Sequence, residues 1–255
     1  MILTQENYFS PEAQKMYMGA SQFKAFEKCE AAAMAEIMGE FEQEKTTSLL
    51  VGSYVDAHFE GTLDIFKAKN PQIFTRNGEL KSEYRKADTI IQRIERDSLF
   101  MDFMSGEKQV IKTGEIEGIP VKIKMDSYFP DKKIVDLKIM KDFEPVYVAG
   151  KGRLNFIEAW EYDVQAAFYQ MIEGNNLPFY IAAATKETVP DIAIIQIPQE
   201  NIEAAKEFIR SNIVRYNAIK EGYILPERCE HCDYCKHTKV LTVPIDMEEL
   251  DYYAE

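Results

Sequence analysis

Between residues 107 and 139 the hydrophobic period of this chain changes from helical to alternating, and no other feature constrains the fold as much. "EKQVIKTGEI", "IPVKIKMDSYF" and "KKIVDLKI" look like three successive strands, with turn-like "EG" and "PD" between them. Side chains on a strand alternate faces. In the middle segment Val121, Ile123 and Met125 therefore face one way, and Lys122, Lys124 and Asp126 the other. In the third, Ile134, Asp136 and Lys138 share one face while Val135, Leu137 and Ile139 share the opposite one. Burying an unpaired charge is costly, so Asp136 and Lys138 need each other, a metal or a polar site. A plain ion pair at a sheet edge and a reactive site both satisfy that need.

Helical periods flank these strands. "SQFKAFEKCEAAAMAEIMGEF" reads as one helix with Ser21 as N-cap and Phe23, Phe26 and Met34 near one stripe. Further helices are expected in "TTSLLVGSYVDAHFEGT", "LDIFKAKNP" and "KSEYRKADTIIQRIERDSLFMDFM". After a poorly patterned stretch (143–155), "FIEAWEYDVQAAFYQMIEG" is amphipathic and ends near Gly174. Strands "PFYIAAAT" and "DIAIIQIP" and the helix "NIEAAKEFIRSNIVRYNAIKEG" follow. The order α, βββ, α, β, β, α predicts an α/β fold with a mixed central sheet flanked by helices. No apolar run suggests a membrane span and "MILTQENYFSPEAQ" is unlike a signal peptide, so a cytoplasmic protein with no membrane partner is expected.

The net charge of −13 argues against nucleic acid as a partner, but the charge is unevenly spread. From Lys108 to Lys141 there are eight lysines against five acids, a local excess that suits either phosphate contact or a lysine-blunted sheet edge. In a cytosolic chain the four cysteines are metal ligands or free thiols rather than disulfides. "RCEHCDYCKHTK" sets Cys229, Cys232 and Cys235 at a spacing that lets three thiolates converge, and Cys29 is the one left to join them. Zinc competes for such a set and also accepts histidine, with His231 and His237 nearby.

Asp126, then Asp136 and Lys138 ten residues on, would place two carboxylates and a lysine on a hairpin, a set suited to a divalent cation such as magnesium. Such a cation lowers the pKa of bound water and orients a phosphate. The lysine could position or deprotonate that water, or stabilise developing charge. An aspartate, a spacer and "DLK", followed by "YDVQAAFY" with Gln165 and Tyr169 one helical turn apart, resemble the PD-(D/E)XK nuclease superfamily and the Q-x-x-x-Y motif of its RecB-like branch. "AAATKETVPDIAIIQI", with Lys186 in its loop, resembles the strand–loop–strand of phage and prophage RecE-type (exodeoxyribonuclease VIII-like) exonucleases.

The resemblance covers roughly residues 20–237 and implies an αβββαβ restriction-endonuclease-like core. It implies one nuclease-like domain over 1–255, with the core at about 20–225, a cysteine staple at 226–238 and an acidic tail at 239–255. Carried over by residue, it makes Asp126, Asp136 and the Leu137 carbonyl ligands of Mg2+ or Mn2+, and Lys138 the catalytic lysine. Gln165 and Tyr169 would reach a DNA strand or order the site. The RecB-like branch usually has a metal-binding histidine four residues after a helical glycine; here Gly52 is followed at that spacing by Asp56. Asp56 is therefore the expected substitute ligand and His58 its competitor, on a different face of the helix. Glu115 is a further candidate carboxylate.

Cys29 with the late triple is similar to the iron–sulfur staple of AddB-type helicase–nucleases and CRISPR adaptation nucleases, although those have a longer gap before the last cysteine. A structural 4Fe–4S cluster is therefore expected, with Zn2+ as the alternative. The implied activity is a metal-dependent DNA exonuclease working 5′-to-3′ on linear duplex DNA in phage recombination. A ring-like homo-oligomer and a RecT-like annealing partner come with it. The rival is a non-catalytic DNA- or protein-binding module on the same scaffold.

Overall fold

The structure, a computed structural model, describes residues 1–42, 46–244 and 246–247, so most of the acidic tail lies outside the described residues. A short helix α1 (Pro11–Met16) leads into α2 (Ala20–Lys28) and α3 (Glu30–Met38). The expected single helix is thus two, because Cys29 between them is extended at φ −165° and ψ 109°. Its N-cap is Gly19 rather than Ser21. Helix α4 (Thr47–Phe59) starts where the Thr46 hydroxyl accepts from the Leu49 amide, an ordinary N-cap. Then come α5 (Leu63–Lys69), α6 (Ser82–Glu95) and α7 (Ser98–Phe103).

The three alternating segments form β1 (Glu107–Ile116), β2 (Ile119–Phe129) and β3 (Lys133–Met140). The unpatterned stretch holds a small hairpin, β4 (Val146–Val148) and β5 (Gly152–Leu154). It is followed by α8 (Phe156–Ala159), α9 (Tyr162–Glu173), β6 (Phe179–Thr185), β7 (Ile192–Gln196), α10 (Gln199–Lys220) and α11 (Asp233–His237). The main sheet runs β1-β2-β3-β6-β7, with β3 and β6 parallel and the other neighbours antiparallel.

Each face of the sheet carries its own core. Val121, Ile123, Met125 and Ile134 pack with Phe23 and Phe26 of α2, Phe168 of α9 and Ile209 and Ile213 of α10. Val135 and Leu137 pack with Val51 and Val55 of α4, Ile90 and Ile94 of α6 and Phe100 of α7. The period-two reading of β3 therefore holds: Asp136 lies on the first face with Ile134, and Leu137 on the second. Among the described residues no helix is long and apolar enough to cross a membrane.

Candidate active site

The hairpin of β2 and β3 is paired only over Ser127–Val135, Tyr128–Ile134 and Phe129–Lys133. The ladder stops one step short of Asp126 and Asp136, and the two strands part there. Alternation on β2 breaks at the same place. Met125 and Tyr128, three apart, both face the first core, while the Ser127 hydroxyl donates to the Phe103 carbonyl and accepts from the Gly106 amide. Opposite, Gln109 takes a left-handed φ of 53°, uncommon outside glycine. Its Nε2 donates to Asp126 Oδ1 at 3.1 Å, and the Leu137 amide donates to Oδ2 at 3.0 Å. Asp126 thus bridges the fork where the ladder fails.

Asp136 is buried, 2 % exposed. Gln165 Nε2 donates to its Oδ1 at 2.6 Å, and Lys138 Nζ makes a close ion pair with its Oδ2. Gln165 also donates to the Tyr169 hydroxyl (3.1 Å), which donates to the Lys124 carbonyl on β2 (2.6 Å). These bonds tie both arms of the fork to α9. Tyr169 is itself buried.

Asp56 of α4 lines a small cavity with Gln109, Asp126, Leu137 and Glu60. His58 turns away, and its Nε2 meets Glu95 Oε1 on α6 at 2.8 Å. Glu115 lies exposed opposite Pro120, at the other end of β2 from Asp126, and takes no part. Lys186 instead bonds Ser48 Oγ at 2.7 Å, holding the β6–β7 loop to the start of α4. Two site residues had escaped the sequence reading. Glu60, one helical turn beyond Asp56, was findable from its spacing. Gln109 carried no signal, because a left-handed glutamine inside a strand cannot be read from pattern.

The carboxylates are held against their preference. Burial, with repulsion from Asp126 and Asp136, raises the Asp56 carboxyl well above the usual range despite Lys138. Burial also pushes Asp136 up to about 6, against the pull of Lys138. For Lys138 burial acts downward, but Asp136 and Asp126 outweigh it and keep the ammonium charged above its ordinary range. A cluster of this kind fits a hard divalent cation: its donors are oxygens, and Asp136 Oδ2 is buried with no hydrogen bond beyond the Lys138 charge contact. Cavities of about 470 and 520 Å3 flank it, and Phe9 lines both. The first reaches Gln165, Tyr169 and Lys122; the second reaches Asp56, Glu60, Gln109 and Lys124.

The lysine-rich strands do not make a free basic face. Lys112 pairs with Glu173, Lys124 with Glu60, Lys133 with Asp102 and Lys138 with Asp136. Lys108 and Lys122 donate to the carbonyls of Met104 and Tyr8.

At the C-terminal end of α2, the sulfurs of Cys29, Cys229, Cys232 and Cys235 all lie within 4.8 Å of one another, with no disulfide. Cys29 Sγ is 3.6 Å and Cys229 Sγ 4.0 Å from Cys235 Sγ. His231 and His237 are exposed and outside the set. The sulfurs stand closer together than the expected 4Fe–4S cluster requires.

Residues 19–238 match the family model described as "PDDEXK-like domain of unknown function (DUF3799)". Among solved structures, the chain is similar to a crystal structure of a "Putative exonuclease" from Eubacterium rectale. The two are 49% identical over 98% of each chain, with a TM-score of 0.93. No curated protein matches at a significant level. With the forked hairpin, the Asp136-x-Lys138 strand and a family match that spans the sheet and its flanking helices, the chain belongs to the PDDEXK-like family DUF3799.

Proposed function

We propose that this chain is a metal-dependent deoxyribonuclease that trims linear duplex DNA from its ends. The observation that carries the reading is the fork between β2 and β3, where Asp126 and Asp136 converge and Lys138 stays charged beside them. The relative described as an exonuclease, at 49% identity, supports the same class. Cavities on both sides of the carboxylates give a strand room to pass along the site.

In this reading Asp56, Asp126, Asp136 and the Leu137 carbonyl hold Mg2+ or Mn2+. The bound cation supplies positive charge at the scissile phosphate and a more acidic water. Asp136 is kept in place by Gln165, and Asp126 by Gln109 and the Leu137 amide. Lys138, being protonated, neutralises charge that develops on the phosphate oxygens rather than removing a proton from water. Tyr169, buried against Lys124, orders the site. The cysteine centre is a structural metal site. Polarity of 5′-to-3′, a ring-like oligomer, a RecT-like annealing partner, a role in phage recombination and a place in the host cytoplasm rest on the RecE-type resemblance.

The test is digestion of linear duplex DNA labelled separately at its 5′ and 3′ ends, with magnesium or with chelator, by wild type and Lys138→Ala. Magnesium-dependent release of 5′-terminal nucleotides is expected, reduced in the variant on the order of 10²–10³-fold. Release from 3′ ends alone would reverse the polarity. If folded, metal-loaded wild type cut neither end, the alternative of a binding module on a nuclease scaffold would replace this reading.

A further inference from the structure

We infer that the four cysteines hold a single tetrahedral zinc ion rather than an iron–sulfur cluster. The inference is independent of the nuclease reading and rests on the size of the site. Zinc bound by thiolates at about 2.3 Å in a regular tetrahedron sets its sulfurs about 3.8 Å apart. A 4Fe–4S cubane holds each thiolate outside its own iron, so its four cysteine sulfurs stand on the order of 6 Å apart. Here two of the pairs are at 3.6 and 4.0 Å, and none exceeds 4.8 Å. A cubane would have to push every thiolate outward, and two of the four cysteines, Cys29 and Cys235, are buried.

The backbone is shaped for the smaller centre. Cys229 Sγ accepts from the amides of His231 (3.4 Å) and Cys232 (3.3 Å), and Cys232 Sγ from the amide of Cys235 (3.4 Å). Such bonds fix the direction of each thiolate, as outer partners of metal ligands do. The fourth thiolate is delivered by the break between α2 and α3 at Cys29. That break is anchored next door: Arg215 grips both Glu30 carboxylate oxygens (2.8 and 3.1 Å), and the Glu227 amide donates to Glu30 Oε2 at 2.8 Å. Both strings of ligands are therefore held in place by contacts other than the metal. Of the divalent ions a four-thiolate site of this size could take, zinc is bound more tightly than ferrous iron in the usual affinity order.

The test is metal and sulfide analysis of the full-length protein purified under anaerobic conditions from cells supplied with both iron and zinc. One zinc per chain, no acid-labile sulfide and no brown chromophore are expected. Replacing the zinc by cobalt should give the intense visible bands and near-ultraviolet sulfur-to-metal charge transfer of a tetrahedral tetrathiolate, and Cys232→Ser should weaken that charge transfer. The charge transfer separates zinc on sulfur from zinc that has strayed onto the carboxylates. About four irons and four sulfides per chain would overturn the assignment. So would a single iron per chain, or zinc whose cobalt replacement lacks the charge transfer. None of these readings depends on DNA cleavage.

Discussion

Gln109 spends an unfavourable backbone conformation on a single hydrogen bond to Asp126, and its Oε1 is buried without a partner. Losing an outer partner of a metal ligand costs roughly 10–100-fold in affinity or activity. Gln109→Leu should therefore weaken Mn2+ binding by about that factor, read by titration calorimetry, while the far-ultraviolet spectrum stays unchanged. An unaltered affinity would mean that Asp126 needs no such help. Asp136 gives the site a pH dependence. Its carboxyl is raised from 3.8 to about 6, so it takes up a proton as pH falls through 6 and loses the charge that a cation needs. Mn2+ affinity should drop across that value, and the inflection should vanish in Asp136→Asn. The sign for stability is the reverse. A raised carboxyl favours the folded state below 3.8, and that contribution is lost as pH rises through about 6. The cation should accordingly raise the melting temperature more at pH 7.5 than at pH 5, a difference that scanning calorimetry measures.

Among the elements, the three strands were legible because turn-like pairs separate them and parts of them keep period two, as Val121, Ile123 and Met125 do on β2 and Val135, Leu137 and Ile139 on β3. The convergence of Asp126 and Asp136 was legible from their spacing, but the manner of it was not. The fork depends on where a ladder ends and on one left-handed glutamine, both set by long-range contact. The break at Cys29 was hidden for a similar reason. Apart from Cys29 itself, Glu27 to Ala35 is a run of good helix formers, and local propensity gives way there to the Glu30–Arg215 grip and the cysteine cluster. Glu161, left-handed at φ 52°, splits α8 from α9 just as invisibly. Gly106 is the element-scale weak point beside the fork. A Cβ there would lie 2.6 Å from the Tyr128 carbonyl and 2.8 Å from Ser127 Oγ. Gly106→Ala should cost about 1–3 kcal/mol by overpacking, measured by urea unfolding, and should loosen the strand that carries Asp126. An unchanged midpoint would show that β2 yields at no cost.

For the whole molecule, the surplus of acid and the internal pairing of the strand lysines leave the carboxylate site as the place where positive charge is wanted. Bound cation then sets the local sign that a phosphate backbone meets, so DNA affinity should rise with the cation. Filter binding of duplex DNA with Ca2+ and with chelator checks this, and equal retention would argue against it. The cysteine centre also carries a consequence for timing. Cys29 and Cys235 are separated by 206 positions, a large loop to close. The sheet, the fork and α10 leave the ribosome before the last thiolate does. Until then α2 is held by Phe23 and Phe26 in the core and by polar contacts such as Lys24 to the Trp160 carbonyl and the Tyr216 hydroxyl to Glu27, and the full thiolate set can take a metal only once Cys235 has emerged. A cell short of that metal would accumulate chains whose carboxylate fork is complete but whose cysteine segments are joined by the Glu30, Arg215 and Glu227 contacts without the metal, and proteases would find that seam first.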